Sequence, residues 1–279
     1  MNKWIMAGTA AAFTGAAAFA RSEYERTHLD IVHYDIKTDK LGLEWNGFKA
    51  VFLSDLHDNS FGMENEELLA AIEKEQPDIV VIGGDMLVVK EWAAPHFDML
   101  ANLYKKLVKR YPVYYAFGNH EQRMKEEPLT YPGWWQSYWK VLKDSGMHVL
   151  VNKSEEIIKN GTAMRISGIT LPRECYRKGR IPSLSAGYID KKIGKASDKN
   201  FELLLAHTPT FAKTYADWGA DLVLSGHFHG GTIRIPGLGG VMTPQLQFFL
   251  TSCKRKCDTE KYKYHSQRRF RHAQYQCAP

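Results

Sequence analysis

The sequence predicts an α/β fold whose sheet has parallel members. Two observations carry this. From about Ile31 onward, short apolar runs alternate with helix-patterned segments, the order that parallel strands with helical crossovers require. The apolar runs are four to six residues long and end in Gly, Asp, Asn or His, which suits buried strands that deliver polar groups to one sheet edge.

Phe48–Leu53 reads as a buried strand. Glu64–Glu75 reads as an amphipathic helix with Leu68, Leu69 and Ile72 on one face and Pro77 closing it. Asp78–Ile82 is a second strand, Phe97–Lys109 a second helix and Val113–Phe117 a third strand. Farther on, Met164–Ile169, Phe201–Leu205 and Asp221–Leu224 read as strands, with a helix over Phe211–Trp218. Turns at Gly226, Gly230-Gly231 and Gly237–Gly240 then punctuate short strands.

Composition divides the chain into three stretches: a hydrophobic segment over 1–21, a main domain over 31–250 and a basic, Cys-containing tail over 251–279 that is expected to stand outside the fold. The net charge of +6 belongs to that tail, where eight Lys and Arg face only Asp258 and Glu260. The remainder is balanced, so the charge gives no reason to expect nucleic acid as a partner. Of the four cysteines, three (Cys253, Cys257 and Cys277) lie in the tail. A lone C-x3-C pair falls short of a zinc site's four ligands. Trp4–Ala20 is an uncharged stretch of 17 residues, eight of them Ala, at the short end of the roughly 17–25 that span a bilayer. Ala18-Phe19-Ala20 has the small-x-small form of a signal cleavage site. The expectation is an anchor or export signal, hence a membrane-associated or exported domain.

The chemistry lies at the strand ends. The first strand ends in Ser54-Asp55-Leu56-His57, the second in Gly83-Gly84-Asp85 and the third in Gly118-Asn119-His120-Glu121. Two later strands end in Ala206-His207 and in Ser225-Gly226-His227-Phe228-His229-Gly230-Gly231. A lone D-x-H, G-G-D or N-H-E is weak and H-x-H in a Gly-rich loop is moderate evidence, but five such blocks at strand ends in one chain point to metal binding. Asp55 and His57, at i and i+2, would share one face of an extended backbone. His227 and His229 have the same spacing, with attachment points roughly 6–7 Å apart. Two ions about 3.5–4 Å apart could each take one of them. Asp85, after two glycines, could bridge both.

In this order, the five blocks resemble the calcineurin-like metallophosphoesterase family from about Lys49 to about Phe249. The resemblance implies a two-layer sandwich of mixed β-sheets flanked by helices, with two divalent metal ions at one edge. It implies that Asp55, His57 and His229 hold one ion, that Asn119, His207 and His227 hold the other, and that Asp85 bridges. His120 would contact the phosphate and assist the leaving group, oriented by Glu121. A metal-activated hydroxide would attack phosphorus. The mixed O/N donor set suits Mn, Fe or Zn better than Ca, with Mn favoured.

Departures narrow the subgroup. Val88 stands where purple acid phosphatases place a Tyr, and Met86-Leu87-Val88-Val89 replaces the Arg-supplying block of protein Ser/Thr phosphatases. Similarity is closest to bacterial membrane-associated members, some of which hydrolyse the pyrophosphate of UDP-diacylglucosamine. A small-molecule or lipid-linked phosphate substrate is the expectation. The competing readings are a nuclease with the same centre, which should show a basic groove, and a non-catalytic metal-binding protein, which should lack ligands or His120.

Two weaker features remain. Trp134, Trp135, Tyr138, Trp139 and Leu142 fall on one helical face, read as packing against the sheet, with a lipid- or substrate-facing patch as the alternative. Arg173, Arg177, Lys178 and Arg180 cluster in a long loop, read as solvated, with a phosphate clamp as the alternative.

Overall fold

The computed structural model describes residues 28–179 and 182–228, the strand backbones at 233–235, 239–242 and 270–276, and isolated positions before residue 28. Strands β1 (Ile31–Ile36), β2 (Lys49–Ser54), β3 (Ile79–Ile82), β4 (Val113–Tyr115), β5 (His148–Val149) and β12 (Phe270–Gln276) form one sheet in the order β1-β12-β2-β3-β4-β5. Only the β1–β12 pair is antiparallel. Strands β6 (Lys153–Lys159), β7 (Thr162–Ile169), β8 (Phe201–Ala206) and β9 (Leu222–Leu224) form a second sheet, with β6 antiparallel to β7 and the rest parallel. A separate ribbon pairs β10 (Ile233–Ile235) with β11 (Gly239–Met242).

Side-chain alternation explains how the layers stack. In β2 and β3, Val51, Leu53, Val80 and Ile82 join a core with Leu68 and Ile72 of α1 (Glu66–Glu75) and with Leu100, Leu103 and Leu107 of α2 (Phe97–Val108). Their neighbours Ala50, Phe52, Ile79 and Val81 face the other way and pack on Met164, Ile166, Phe201, Leu203 and Leu205 of the second sheet. The outer face of that sheet, with Ile169, Leu204 and Ala206, packs on α5 (Ala186–Ile193) and α6 (Ala212–Trp218). Period-two strands buried on both faces therefore give a sandwich of mixed sheets flanked by helices.

Within the stretch 251–279, the Phe270–Gln276 backbone pairs as a strand between β1 and β2. Backbone groups make the ladder, so a strand there needs no apolar run to announce it. The hydrophobic segment Trp4–Ala20 lies outside the described residues save for isolated positions. Among the described residues no helix is long and apolar enough to cross a membrane.

Helix α3 (Asn119–Glu126) opens shortly after β4, and α4 (Trp134–Ser145) comes next. Tyr138 and Leu142 of α4 are fully buried, while Trp134, Trp135 and Trp139 are partly buried against the same core. The Trp135 ring meets Phe117 edge-on at 5.6 Å and stacks on Trp139 at 5.3 Å. Lys125 and Lys143 sit over Trp135 and Trp139. The aromatic face is thus packing. Trp135→Ala should lower unfolding free energy by roughly 2–4 kcal/mol. An unchanged midpoint in chemical denaturation would place the ring outside the core.

Candidate metal centre

The parallel strands of both sheets end at one edge, and the segments after them are stitched together there. Asp55 N–H donates to Gly84 O at 3.0 Å, His57 N–H to Asp85 O at 3.1 Å and Gly226 N–H to His207 O at 2.9 Å. His227 N–H donates to Asp55 Oδ1 at 3.0 Å, joining the last strand of the second sheet to the turn after β2.

This stitching changes the local geometry that spacing suggests. Asp55 (φ 59°), His57 (φ 52°), Asp85 (φ 51°) and His227 (φ 66°) are all left-handed. Asp55 and His57 therefore do not share a face of extended backbone. They converge because a left-handed turn rolls each side chain inward, at a cost of about 1 kcal/mol or more per residue. Gly84, at φ 90°, lets the second turn approach the third, since a Cβ there would collide with the Gly118 nitrogen. A Cβ on Gly226 would occupy the Asp55 carboxylate's place.

The side chains gather into two overlapping groups. One ligand atom from each of His57, Asp85 and His120 lies within 4.8 Å of the others, and the same holds for Asp85, His207 and His227. Asp85 belongs to both. Asp55 Oδ1 is 3.7 Å from His57 Nε2 and 3.7 Å from His207 Nε2. Asn119 Oδ1 is buried and has no hydrogen-bond partner among the described residues, an acceptor without a donor. His229 lies outside the described residues, so the ligand pair H-x-H is represented by His227 alone.

Asp55 and Asp85 are almost fully buried, as is His207, so their charges must compensate one another or a bound cation. His207 Nδ1 donates to Gly83 O at 2.8 Å, which leaves Nε2 facing Asp85 Oδ2 at 3.0 Å. Burial works against the His207 charge, but the Asp85 and Asp55 carboxylates outweigh it and push its pKa to about 10. Burial would raise Asp85, yet His207 and His120 hold it well below the usual carboxylate range. Without a cation, a proton on His207 serves as the counter-ion. A buried carboxylate common to two imidazole groups, beside an unsatisfied amide oxygen, fits divalent metal with a mixed O/N shell.

His120 is differently held. Val89 N–H donates to its Nδ1 at 3.0 Å, so the neutral ring carries its proton on Nε2 and offers a donor rather than a ligand lone pair. Burial lowers its pKa to about 4, with Asp85 opposing and His57 reinforcing the shift. The loop bearing Val89 is fixed in turn by Asp58, whose carboxylate accepts from Val88 N–H at 2.8 Å and His96 N–H at 3.2 Å.

Glu121 lies behind the turn that carries Asp85. Its fully buried carboxylate accepts from Asp85 N–H (2.9 Å), Met86 N–H (3.0 Å), Gly118 N–H (2.9 Å) and Tyr115 O–H (2.7 Å). It positions the turn that aims Asp85, while His120 N–H donates to Asp85 Oδ1 at 2.8 Å. The Arg-rich loop supplies no clamp from Arg173, which pairs with Glu127. Arg177 and Lys178 are exposed, and Arg180 lies outside the described residues. Spacing gives no sign of Val89 and Asp58, because their contributions are a backbone N–H and a loop tie.

Carboxylates and imidazoles converging at the carboxyl ends of parallel strands define a metal-dependent hydrolase. The chain belongs to the calcineurin-like phosphoesterase family, whose pattern matches residues 48–231, and it is a metallophosphoesterase. It is 25% identical over 240 residues to the uncharacterised metallophosphoesterase YkuE of Bacillus subtilis, covering 84% of this chain and 77% of that one. It is 30% identical to the metallophosphoesterase YkoQ of the same organism, covering 66% and 62% of the two chains. With the phosphodiesterase YaeI of Escherichia coli it shares 28% identity, covering 71% and 66%.

Glu121→Gln places an amide N–H₂ against backbone donors on one side or the other. It should cost about 1–3 kcal/mol of stability, read by urea unfolding, and weaken metal uptake. A variant as stable as the parent would deny the bracing role. The raised His207 pKa stabilises the metal-free fold fully below pH 6.5, and that contribution is lost as pH rises through about 10. A metal taken up on His207 Nε2 would displace this proton, so calorimetric titration should show proton release and affinity falling by ~10-fold or more per pH unit in acid. Equal affinity at about pH 6 and pH 8 would contradict it.

Proposed function

We propose that this chain hydrolyses a phosphodiester or phosphoanhydride at a dinuclear metal centre. Asp55, His57 and His229 would hold one ion and Asn119, His207 and His227 the other, with Asp85 shared; Mn is favoured over Fe or Zn. The observation that carries the reading is Asp85, whose carboxylate lies within 4.8 Å of a ring nitrogen of His57 in one cluster and of His207 and His227 in the other. When bound, divalent cations offset charge on the phosphoryl oxygens and make water nucleophilic near neutral pH.

The chain's own groups supply the rest. Gly83 O fixes the His207 ring so that Nε2 points to the carboxylates. Glu121 fixes the turn that presents Asp85. Val89 N–H keeps the His120 proton on Nε2, where the neutral ring can donate a hydrogen bond to the departing oxygen or to a phosphoryl oxygen and so offset the charge that develops there. The name of YaeI, a phosphodiesterase, supports a diester over a monoester. The balanced charge of the main domain disfavours a nuclease. The uncharged Trp4–Ala20 segment supports membrane association or export, and with it a small-molecule or lipid-linked substrate.

The test uses the full chain with Mn on bis(para-nitrophenyl) phosphate, para-nitrophenyl phosphate and UDP-diacylglucosamine. Diester or pyrophosphate cleavage should require metal and stop with EDTA. His120→Ala should lower kcat by ~100-fold or more while Mn binding persists. Cleavage indifferent to EDTA, or His120→Ala at parental rate, would refute the mechanism.

A further inference from the structure

The loop between β7 and β8 brings one residue to the centre that the metal-ligand pattern does not include. A short turn of 3-10 helix, Arg173–Tyr176, comes after β7. Its last residue, Tyr176, lays its ring against two candidate ligands: 5.2 Å and nearly perpendicular to His227, and 6.3 Å from His207. In the other group that shares Asp85, His57 and His120 make their own edge-on pair at 5.3 Å. His120 thus flanks one imidazole group and Tyr176 the other.

The turn is held firmly. Arg173 pairs with Glu127, the residue closing the helix that carries Asn119 and His120. Cys175 is buried in the core beneath the second sheet. Tyr188 O–H donates to Thr170 O at 3.0 Å, tying the loop back to the end of β7. The Tyr176 ring is partly buried, and its hydroxyl makes no hydrogen bond among the described residues. A phenol ring held against the two histidines carries a hydroxyl that can donate a hydrogen bond to a bound phosphate ester.

We infer that Tyr176 is a substrate-contacting residue, its hydroxyl donating a hydrogen bond to a phosphoryl oxygen on the His207–His227 side of the centre. The inference rests on the phosphoesterase reading. It gives the site two neutral donors, His120 Nε2–H beside one imidazole group and Tyr176 O–H beside the other, and makes the β7–β8 loop a determinant of which phosphate esters fit. The competing account is that the ring merely packs on the histidines.

Tyr176→Phe separates the two, because it keeps the ring and removes only the oxygen. With Mn present, kcat/KM on bis(para-nitrophenyl) phosphate should fall by ~10- to 100-fold, the size of a hydrogen bond to a charged group. Inhibition by orthophosphate should weaken in parallel. Mn affinity and the unfolding midpoint should stay at parental values. An active parent matched by Tyr176→Phe in both kcat/KM and orthophosphate inhibition overturns the assignment alone. Loss of Mn binding in the variant would assign Tyr176 to the packing of the ligands and overturn it too. A parent that neither cleaves the diester nor binds orthophosphate overturns this inference together with the phosphoesterase reading.

Discussion

The structure turns on the burial of Asp85. Its carboxylate is withdrawn from water and receives His120 N–H on one oxygen while His207 Nε2 stands 3.0 Å from the other. An isolated buried carboxylate would cost several kcal/mol. Everything around it answers that cost, with imidazoles in both groups, a second carboxylate shared among those imidazoles, and a set of turns that has no freedom to move the charge away. Folding and metal chemistry are therefore linked, because the groups that make the pocket expensive are the ones that make it bind.

Support for Asp85 comes from a second layer. Glu121 gathers the backbone of the Gly-Gly-Asp turn and of the Gly-Asn-His turn onto one carboxylate. Behind it, Tyr115 O–H bonds Glu121, and its oxygen lies 2.6 Å from that of Tyr138, which in turn is 2.8 Å from that of Tyr104. That chain runs from the centre through β4 into α4 and α2. Each hydroxyl is satisfied, so a polar path crosses an otherwise apolar core without leaving an orphan group.

Much of this is legible in the sequence, and the limits have physical reasons. Apolar runs mark the strands, and places at strand ends mark the destination of Asp55, His57, Asp85, His120, His207 and His227. The direction of those side chains is not legible, because left-handed backbone at Asp55, His57 and Asp85 comes with bonds to a distant turn rather than from local propensity. Sequence proximity pairs Glu121 with the adjacent His120, whereas the fold bonds it to Asp85 and Met86, more than thirty residues away. The strand at Phe270–Gln276 has no apolar alternation to show it. Tyr176 stands beside basic neighbours that draw the eye, and an aromatic in a loop has no spacing rule to mark it.

The tyrosine chain also ties the helical layer to the centre. Because the aim of Asp85 is referred through Glu121 and three phenols to α4 and α2, the seating of those two helices against each other bears on the geometry of a carboxylate that neither of them carries.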